Sequence, residues 1–203
     1  MTKDEFMIRI QHACDKVISA EPLLTEIDSH FGDADHGITM TKICNVIKDS
    51  LNEESQGIKS MLNNAAESIL TLSGGSAVPL WNTWFDGLQE NAPDENEISI
   101  SEIKTIFANA FEEFSDMSGA EVGDKTIMDA LGPASDAIAS YTGDSESELF
   151  TLAAEAAAKG TEETKNFKAK FGRAKSYGAK TIGTPDAGAK SMSCFFEGLA
   201  EAL

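Results

Sequence analysis

Three aspartates fall within eight residues early in the chain, Asp28, Asp33 and Asp35, and the run closes on His36-Gly37. Carboxylates this close repel one another unless they are solvated or bridged by cations. Gly32 and Gly37 bracket Asp33 and Asp35, so the backbone can curl and aim both side chains at one point. Hard oxygen ligands of this kind suit Mg²⁺, with phosphate oxygens and waters completing the octahedron. An EF-hand loop does not fit. Counting from Asp33 puts Gly37 at a ligand position, Ile38 at the obligatory glycine and Cys44 at the closing glutamate. Zinc on His30 and His36 lacks further ligands. The competing reading is helix capping, with Asp33 or Asp35 as N-cap of a helix entered at Gly37. Spacing alone leaves metal site and cap equally open.

Three other loops carry polar residues or glycines that could meet a phosphate. Gly74-Gly75-Ser76 precedes a helix start, where free backbone N–H groups can face an anion. A plain turn is the simpler reading, and no Walker A loop is present because no Gly-Lys-Ser or Gly-Lys-Thr follows. Gly123-Asp124-Lys125-Thr126 again opens a helix; Asp124 reads as its N-cap and Lys125 as a phosphate partner or an ordinary surface lysine. The chain has two arginines, Arg9 and Arg173, and Arg173 stands in Gly172-Arg173-Ala174 ahead of Thr181-Ile182-Gly183-Thr184-Pro185-Asp186-Ala187-Gly188. An isolated arginine among glycines suits planar phosphate recognition or charge neutralisation in phosphoryl transfer, with a surface salt bridge as the alternative.

The elements that must position these loops read as helices. Phe6, Ile10, Ala13 and Val17 recur at helical spacing, as do Ile103, Phe107, Ala110 and Phe114. Ile58, Met61, Leu62, Ala65, Ile69 and Leu72 form another stripe, Phe150, Ala153, Ala154 and Ala157 a fourth, and Met192, Phe195, Phe196 and Leu199 a last one. No segment alternates with period two, so an all-α fold without a sheet is expected. Pro79 is tolerable in the first turn of its helix, Gly132-Pro133 interrupts or kinks another, and residues 171–189 read as one long loop. In an up-and-down bundle alternate loops share an end, which would gather the glycine turns and carboxylates into one rim.

Composition bounds the partners. The 203 residues suit a single domain, 1–203, with a real core. A formal charge of −18 argues against nucleic acids and anionic membranes, but not against a single nucleotide held through divalent cations. No apolar run approaches the roughly 20 residues of a membrane span, and the N-terminus lacks a signal-peptide core, so a cytoplasmic address is expected. Cys14, Cys44 and Cys194 are scattered and odd in number, which fits buried small residues better than disulfides or zinc.

Together these stretches resemble the nucleotide-binding (L) subunit family of dihydroxyacetone kinases. The first signature runs from Leu24-Thr25-Glu26-Ile27-Asp28 through Gly32-Asp33-Ala34-Asp35-His36-Gly37, and the second is Gly74-Gly75 with Pro79-Leu80. The third is Gly123-Asp124-Lys125-Thr126-Ile127-Met128-Asp129-Ala130-Leu131 with Pro133-Ala134. The fourth is Gly172-Arg173-Ala174, then Ile182-Gly183 and Asp186-Ala187-Gly188-Ala189. The resemblance implies an antiparallel up-and-down barrel or bundle of about eight helices with the nucleotide at one end. It implies that Asp28, Asp33 and Asp35 hold two Mg²⁺ ions bridging the phosphates of ADP or ATP. His36, Gly37, Ile38 and Thr39, with Gly75, Ser76 and Ala77, would contact phosphates or ribose. Gly119, Thr126, Ile127 and Met128 would line the adenine site, Asp186, Ala187 and Gly188 would close it, and Arg173 would face the transferred phosphoryl group as the catalytic residue.

The implied reaction phosphorylates dihydroxyacetone or a related short ketose, held covalently by a histidine of a separate substrate-binding kinase subunit. In the form linked to the bacterial phosphotransferase system, a phosphohistidine donor subunit recharges bound ADP to ATP; in the usually fused form, ATP exchanges. A free-standing chain of this length favours the first. The sequence departs from the family pattern at Thr39, where Asn is usual, at Ser76-Ala77-Val78, at Lys175-Ser176-Tyr177 and at Ala187, where Pro is usual. Those departures open a second reading, a nucleotide-binding regulatory module with weakened catalysis.

Overall fold

The apolar stripes become helices. In the computed structural model, which describes residues 1–51 and 55–203, these are α1 (Lys3–Ser19), α2 (Glu21–Ser29), α3 (His36–Ser50), α4 (Ile58–Leu70), α5 (Ala77–Asn91), α6 (Ile100–Ser118), α7 (Met128–Ser140), α8 (Glu146–Glu163) and α9 (Ala187–Glu201). Two 3₁₀ segments, Thr164–Asn166 and Arg173–Thr181, lie between α8 and α9. The sheet-free expectation holds among the described residues, where the β-type pairing is an isolated bridge between Thr2 and Glu97.

Local chemistry sets the ends of these helices. Thr2 Oγ1 accepts the Glu5 amide at 3.2 Å while the Glu5 carboxylate accepts the Thr2 amide at 2.7 Å, a reciprocal capping box that starts α1. Ser99 and Glu102 repeat the device for α6, which ends on Gly119 at φ +61°. Ser145 caps α8 by accepting the Glu148 amide. Among the described residues nine α-helices are found where about eight were expected. A break at Ala20, followed by Pro22 in the first turn of the next helix, separates the short α2 from α1.

One sequence expectation needs correction and another is narrowed. Residues 171–189 are not one long loop: the chain forms the 3₁₀ stretch Arg173–Thr181 and enters α9 at Ala187, where Asp186 Oδ1 accepts the Ala189 amide at 2.8 Å. The glycines mark turns within this stretch, with Gly172 at φ +59°, Gly178 at +58° and Gly183 at +97°. Of the two readings at Gly132-Pro133, interruption is excluded: α7 runs through Pro133 as one helix.

The core fills by interlocking aromatic rings. Trp81 and Trp84 of α5 pack edge-on to Phe195 of α9 at 5.3 and 5.4 Å, and Phe107 of α6 joins Trp84 at 6.3 Å and Phe150 of α8 at 6.0 Å. Helix α9 packs against both α8 and α1, α1 against α3, α3 against α4, and each later helix up to α8 against its successor, while α2 lies on α3 and α9. All three cysteines are buried and free. Among the described residues no helix is long and apolar enough to cross a membrane.

Candidate functional site

The link from α2 to α3 shows which of the three aspartates caps α3. Asp35 stands at the N-cap position of α3, yet its side chain makes no capping bond. Asp28, in the last turn of α2, takes that role from a distance: its Oδ2 accepts the Asp35 amide at 3.1 Å and the His36 amide at 3.4 Å. Asp33 Oδ2 instead meets Arg173 Nη1 at 2.5 Å. One carboxylate oxygen from each of Asp28, Asp33 and Asp35 lies within 4.8 Å of the others. Ala34 between the latter two is held at φ +60°, a conformation that residues with a Cβ adopt at a cost and that clusters at ligand sites.

Burial, then the neighbouring Asp33 and Asp28 charges, push the Asp35 carboxyl above its usual range. A side chain at Gly32 would place its Cβ 1.9 Å from Asp28 Oδ1, so the missing side chain leaves the space that this carboxylate occupies. Three converging oxygen donors, one of them already drawn to a guanidinium, are a fitting set for a hard divalent cation.

The trio sits at one side of a cavity of about 670 Å³, within the range of small-molecule sites. Four helix starts open onto it: Asp35 and His36 at α3, Ser76 and Ala77 at α5, Ile127 and Met128 at α7, and Asp186 to Gly188 at α9. Helix N-termini present unpaired amides and the positive end of the helix dipole, so the cavity can attract an anion in a chain of net charge −18. Trp81, Leu80, Met117 and Phe171 give it apolar walls, and Arg173 lies on its lining.

Beneath this surface the 123–126 turn is braced by residues whose roles differ from the sequence reading. Asp124 does not cap α7. It accepts the Glu121 amide at 2.9 Å and pairs with Lys170, and that lysine above all holds its carboxyl below the usual range. The bracing acid is Asp129, which accepts the Gly123 amide at 2.6 Å and the Thr126 amide at 2.7 Å. Lys125, at φ +61° and buried, donates to the carbonyls of Thr164 and Thr184. It is a strap between loops. His36 Nε2 lies 3.2 Å from Ser191 Oγ of α9, and burial lowers its pKa, which favours neutral imidazole.

Asp186 gives a pH prediction. It touches the cavity but is densely surrounded by protein, and burial raises its pKa from 3.8 to about 6, more than the Ala189 amide lowers it. The folded state then keeps a proton that the unfolded chain loses as pH passes about 4, so this group makes stability fall as pH rises from about 4 to 6. Asp186→Asn is expected to remove on the order of 2 kcal/mol from that fall while an amide oxygen still caps α9. Urea midpoints of both proteins across this range measure it; parallel curves would show that Asp186 titrates normally.

Most of the residues singled out from sequence meet here. Asp28, Asp33, Asp35, His36, Thr39, Gly75, Ser76, Ala77, Thr126, Ile127, Met128, Arg173, Asp186, Ala187 and Gly188 all line the cavity. Gly37, Ile38 and Gly119 are not on its lining. Gly37 is buried where α3 crosses α2, Ile38 points 47% of its surface to solvent, and Gly119 ends α6 between the lining residues Ser118 and Ala120. Val78 is helical in the first turn of α5 and packs against Gly74, so its place in the second loop needs no glycine conformation. The sequence reading missed the walls, because apolar residues at helical spacing look the same whether they face a core or a cavity. It also missed the bracing role of Asp129, which stands in the third signature but whose bonds to the Gly123 and Thr126 amides leave no mark in the sequence.

The DAK2 domain profile matches residues 30–201. The chain belongs to the DAK2-domain family, which includes the ADP-binding subunits of dihydroxyacetone kinases. It is 30% identical over 188 residues to the ADP-binding subunit DhaL of PEP-dependent dihydroxyacetone kinase 2 from Listeria innocua, covering 89% of this chain and 87% of that one. It is 31% identical over 179 residues to the D-erythrulose kinase of Mycolicibacterium smegmatis, covering 86% of this chain and 31% of that one. The chain thus spans about a third of the length of such kinases. Its fold is that of part of the dihydroxyacetone kinase from C. freundii in a complex with AMP-PNP and Mg²⁺, with a TM-score of 0.71 at 21% identity, over 98% of this chain and 34% of that one.

Proposed function

We propose that this chain carries the nucleotide of a dihydroxyacetone kinase-type system and serves as the phosphoryl-transfer half of its active site. The observation that carries this reading is the trio Asp28, Asp33 and Asp35, with one oxygen of each converging within 4.8 Å and Arg173 adjoining them on one cavity. The cyclic order of helix contacts supports reading the fold as an antiparallel barrel with α2 appended and the loops gathered at one end.

In this reading the three aspartates hold two Mg²⁺ ions that neutralise the phosphate tail of ADP or ATP. The amides at Gly75, Ser76 and Ala77 receive phosphate oxygens at the start of α5, with His36 and Thr39 beside them. Thr126, Ile127 and Met128 take the base, and Asp186, Ala187 and Gly188 close over it. Arg173 leaves Asp33 for the transferred phosphoryl group, where a guanidinium offsets the charge spread over its oxygens. The chain supplies no nucleophile. The acceptor is a hydroxyl of dihydroxyacetone or of a related ketose such as erythrulose, held on a substrate-binding subunit or domain, and a phosphohistidine protein recharges ADP. The names of the Listeria and Mycolicibacterium relatives support both the ADP assignment and the ketose class.

Reconstitution tests it directly. With a substrate-binding subunit and a phosphohistidine donor, the chain is expected to phosphorylate dihydroxyacetone or erythrulose. Arg173→Ala is expected to slow turnover by roughly 10³-fold while Mg-dependent ADP affinity changes little, since Arg173 is 68% exposed. Undiminished turnover in the variant would remove Arg173 from the chemistry; no turnover in any mixture would overturn the kinase reading.

A further inference from the structure

Positive charge in this protein is gathered beside the cavity. Residues 164–185 hold six of the 16 Lys and Arg residues and none of the 34 Asp and Glu residues. The segment is laced into one unit. Gly183 N donates to the Lys165 carbonyl at 2.7 Å, and Thr181 Oγ1 accepts the Ala169 amide at 3.0 Å and donates to the Gly178 carbonyl at 2.8 Å. The Tyr177 ring lies 5.2 Å from Phe31 on the aspartate loop in a tilted contact, so the unit borders the site.

Three of the six cations are turned to the body of the protein, pairing with Glu162, Asp124 and Asp33. Lys168, Lys175 and Lys180 are exposed and have no carboxylate within 4.0 Å among the described residues. Between them stand Phe171, Tyr177 and Ile182, each 39–53% exposed. The exposed aromatic and aliphatic side chains suit the centre of a protein-binding surface, and the lysines around them supply the charge that would steer an acidic partner.

We propose that this strip docks a folded protein through a compact acidic patch lying beside that protein's phosphoryl acceptor. The inference rests on the nucleotide reading of the cavity, to which it adds the face used and the charge of the partner. Charge complementarity selects the occupant. An extended polyanion such as RNA would run past the strip onto the rest of a chain of net charge −18, which carries none of its 34 acidic residues within the strip. A localised acidic patch meets only the strip, and the surrounding like charge disfavours other orientations. Arg173 belongs to both strip and cavity, so docking there brings the partner to the cavity mouth.

The test compares the full chain with a Lys168→Glu, Lys175→Glu, Lys180→Glu variant, all three positions lying outside the cavity lining. Association with the purified substrate-binding kinase subunit from the same organism is followed by biosensor at low and high salt, with a single-stranded DNA oligonucleotide as second analyte. The variant is expected to associate roughly tenfold more slowly or worse at low salt, with a flatter salt dependence, and a Lys→Gln triple variant to fall between. Equal association rates and salt slopes, no association by the wild type, or strip-dependent binding of the oligonucleotide instead would each overturn the proposal. A thermal shift with Mg²⁺ and ADP on the same preparations scores the nucleotide reading separately.

Discussion

Asp35→Asn is expected to abolish Mg-dependent nucleotide binding and to leave the ligand-free protein at least as stable as the wild type. Both outcomes follow from one geometry. Three carboxylates whose oxygens lie within 4.8 Å of each other raise one another's energy in the absence of a cation, and the Asp35 carboxyl is already pushed up by burial and by its two neighbours. An isosteric amide relieves that repulsion, and no cap is lost because the Asp35 side chain forms none. The same substitution deletes a ligand. Outer-shell partners of a metal are worth roughly 10–100-fold in affinity, so a direct ligand should be worth about 100-fold or more. Calorimetry with ADP, with Mg²⁺ and with EDTA, alongside melting curves of the ligand-free proteins, measures both. A variant that melted well below the wild type without ligand would show Asp35 to be a structural residue.

Gly160→Ala carries the largest expected cost to stability, and Pro133 explains why. Proline has no N–H to give the carbonyl one turn back, so the Asp129 carbonyl has no helical donor from position 133. Helix α8 closes on that point: a Cβ built on Gly160 would lie 1.8 Å from the Asp129 oxygen and 3.2 Å from Pro133 Cγ. Backbone cannot yield as a flexible side-chain tip can, so α7 and α8 must separate. The expected loss is about 3 kcal/mol or more, at the upper end for overpacking. Because Asp129 also braces the Gly123 and Thr126 amides, nucleotide affinity should fall with it. Urea denaturation of Gly160→Ala measures the first effect; a loss below about 1 kcal/mol would mean that the helices part at little cost.

How much of this was legible in the sequence depended on whether a residue's role is local. The apolar stripes and the crowding of Asp28, Asp33 and Asp35 are decided within a few residues and were legible, whereas the equally local capping boxes at Thr2 and Ser99 were found only in the structure. The 171–189 segment was not legible. Its fold depends on Thr181 reaching Ala169 and on Asp186 capping α9, and its glycines resemble loop until those bonds are known. Lys125 illustrates the limit at the site itself. Its neighbours mark a phosphate loop, but the carbonyls of Thr164 and Thr184 that take its ammonium lie 39 and 59 residues away. Trp81 is ambiguous in a different sense, since it belongs to the aromatic core and to the cavity wall at once.

The aspartate cluster at the α2–α3 link is expected to bind divalent cations, and through them a polyphosphate. Diffraction at the manganese absorption edge from crystals grown with Mn²⁺ and ADP tests it most directly. Anomalous peaks are expected at roughly 2.1–2.2 Å from oxygens of Asp28, Asp33 and Asp35, with the phosphate tail of ADP on their far side and Arg173 turned toward it. Nucleotide bound elsewhere, or an ordered aspartate loop without metal at saturating Mn²⁺, would contradict it.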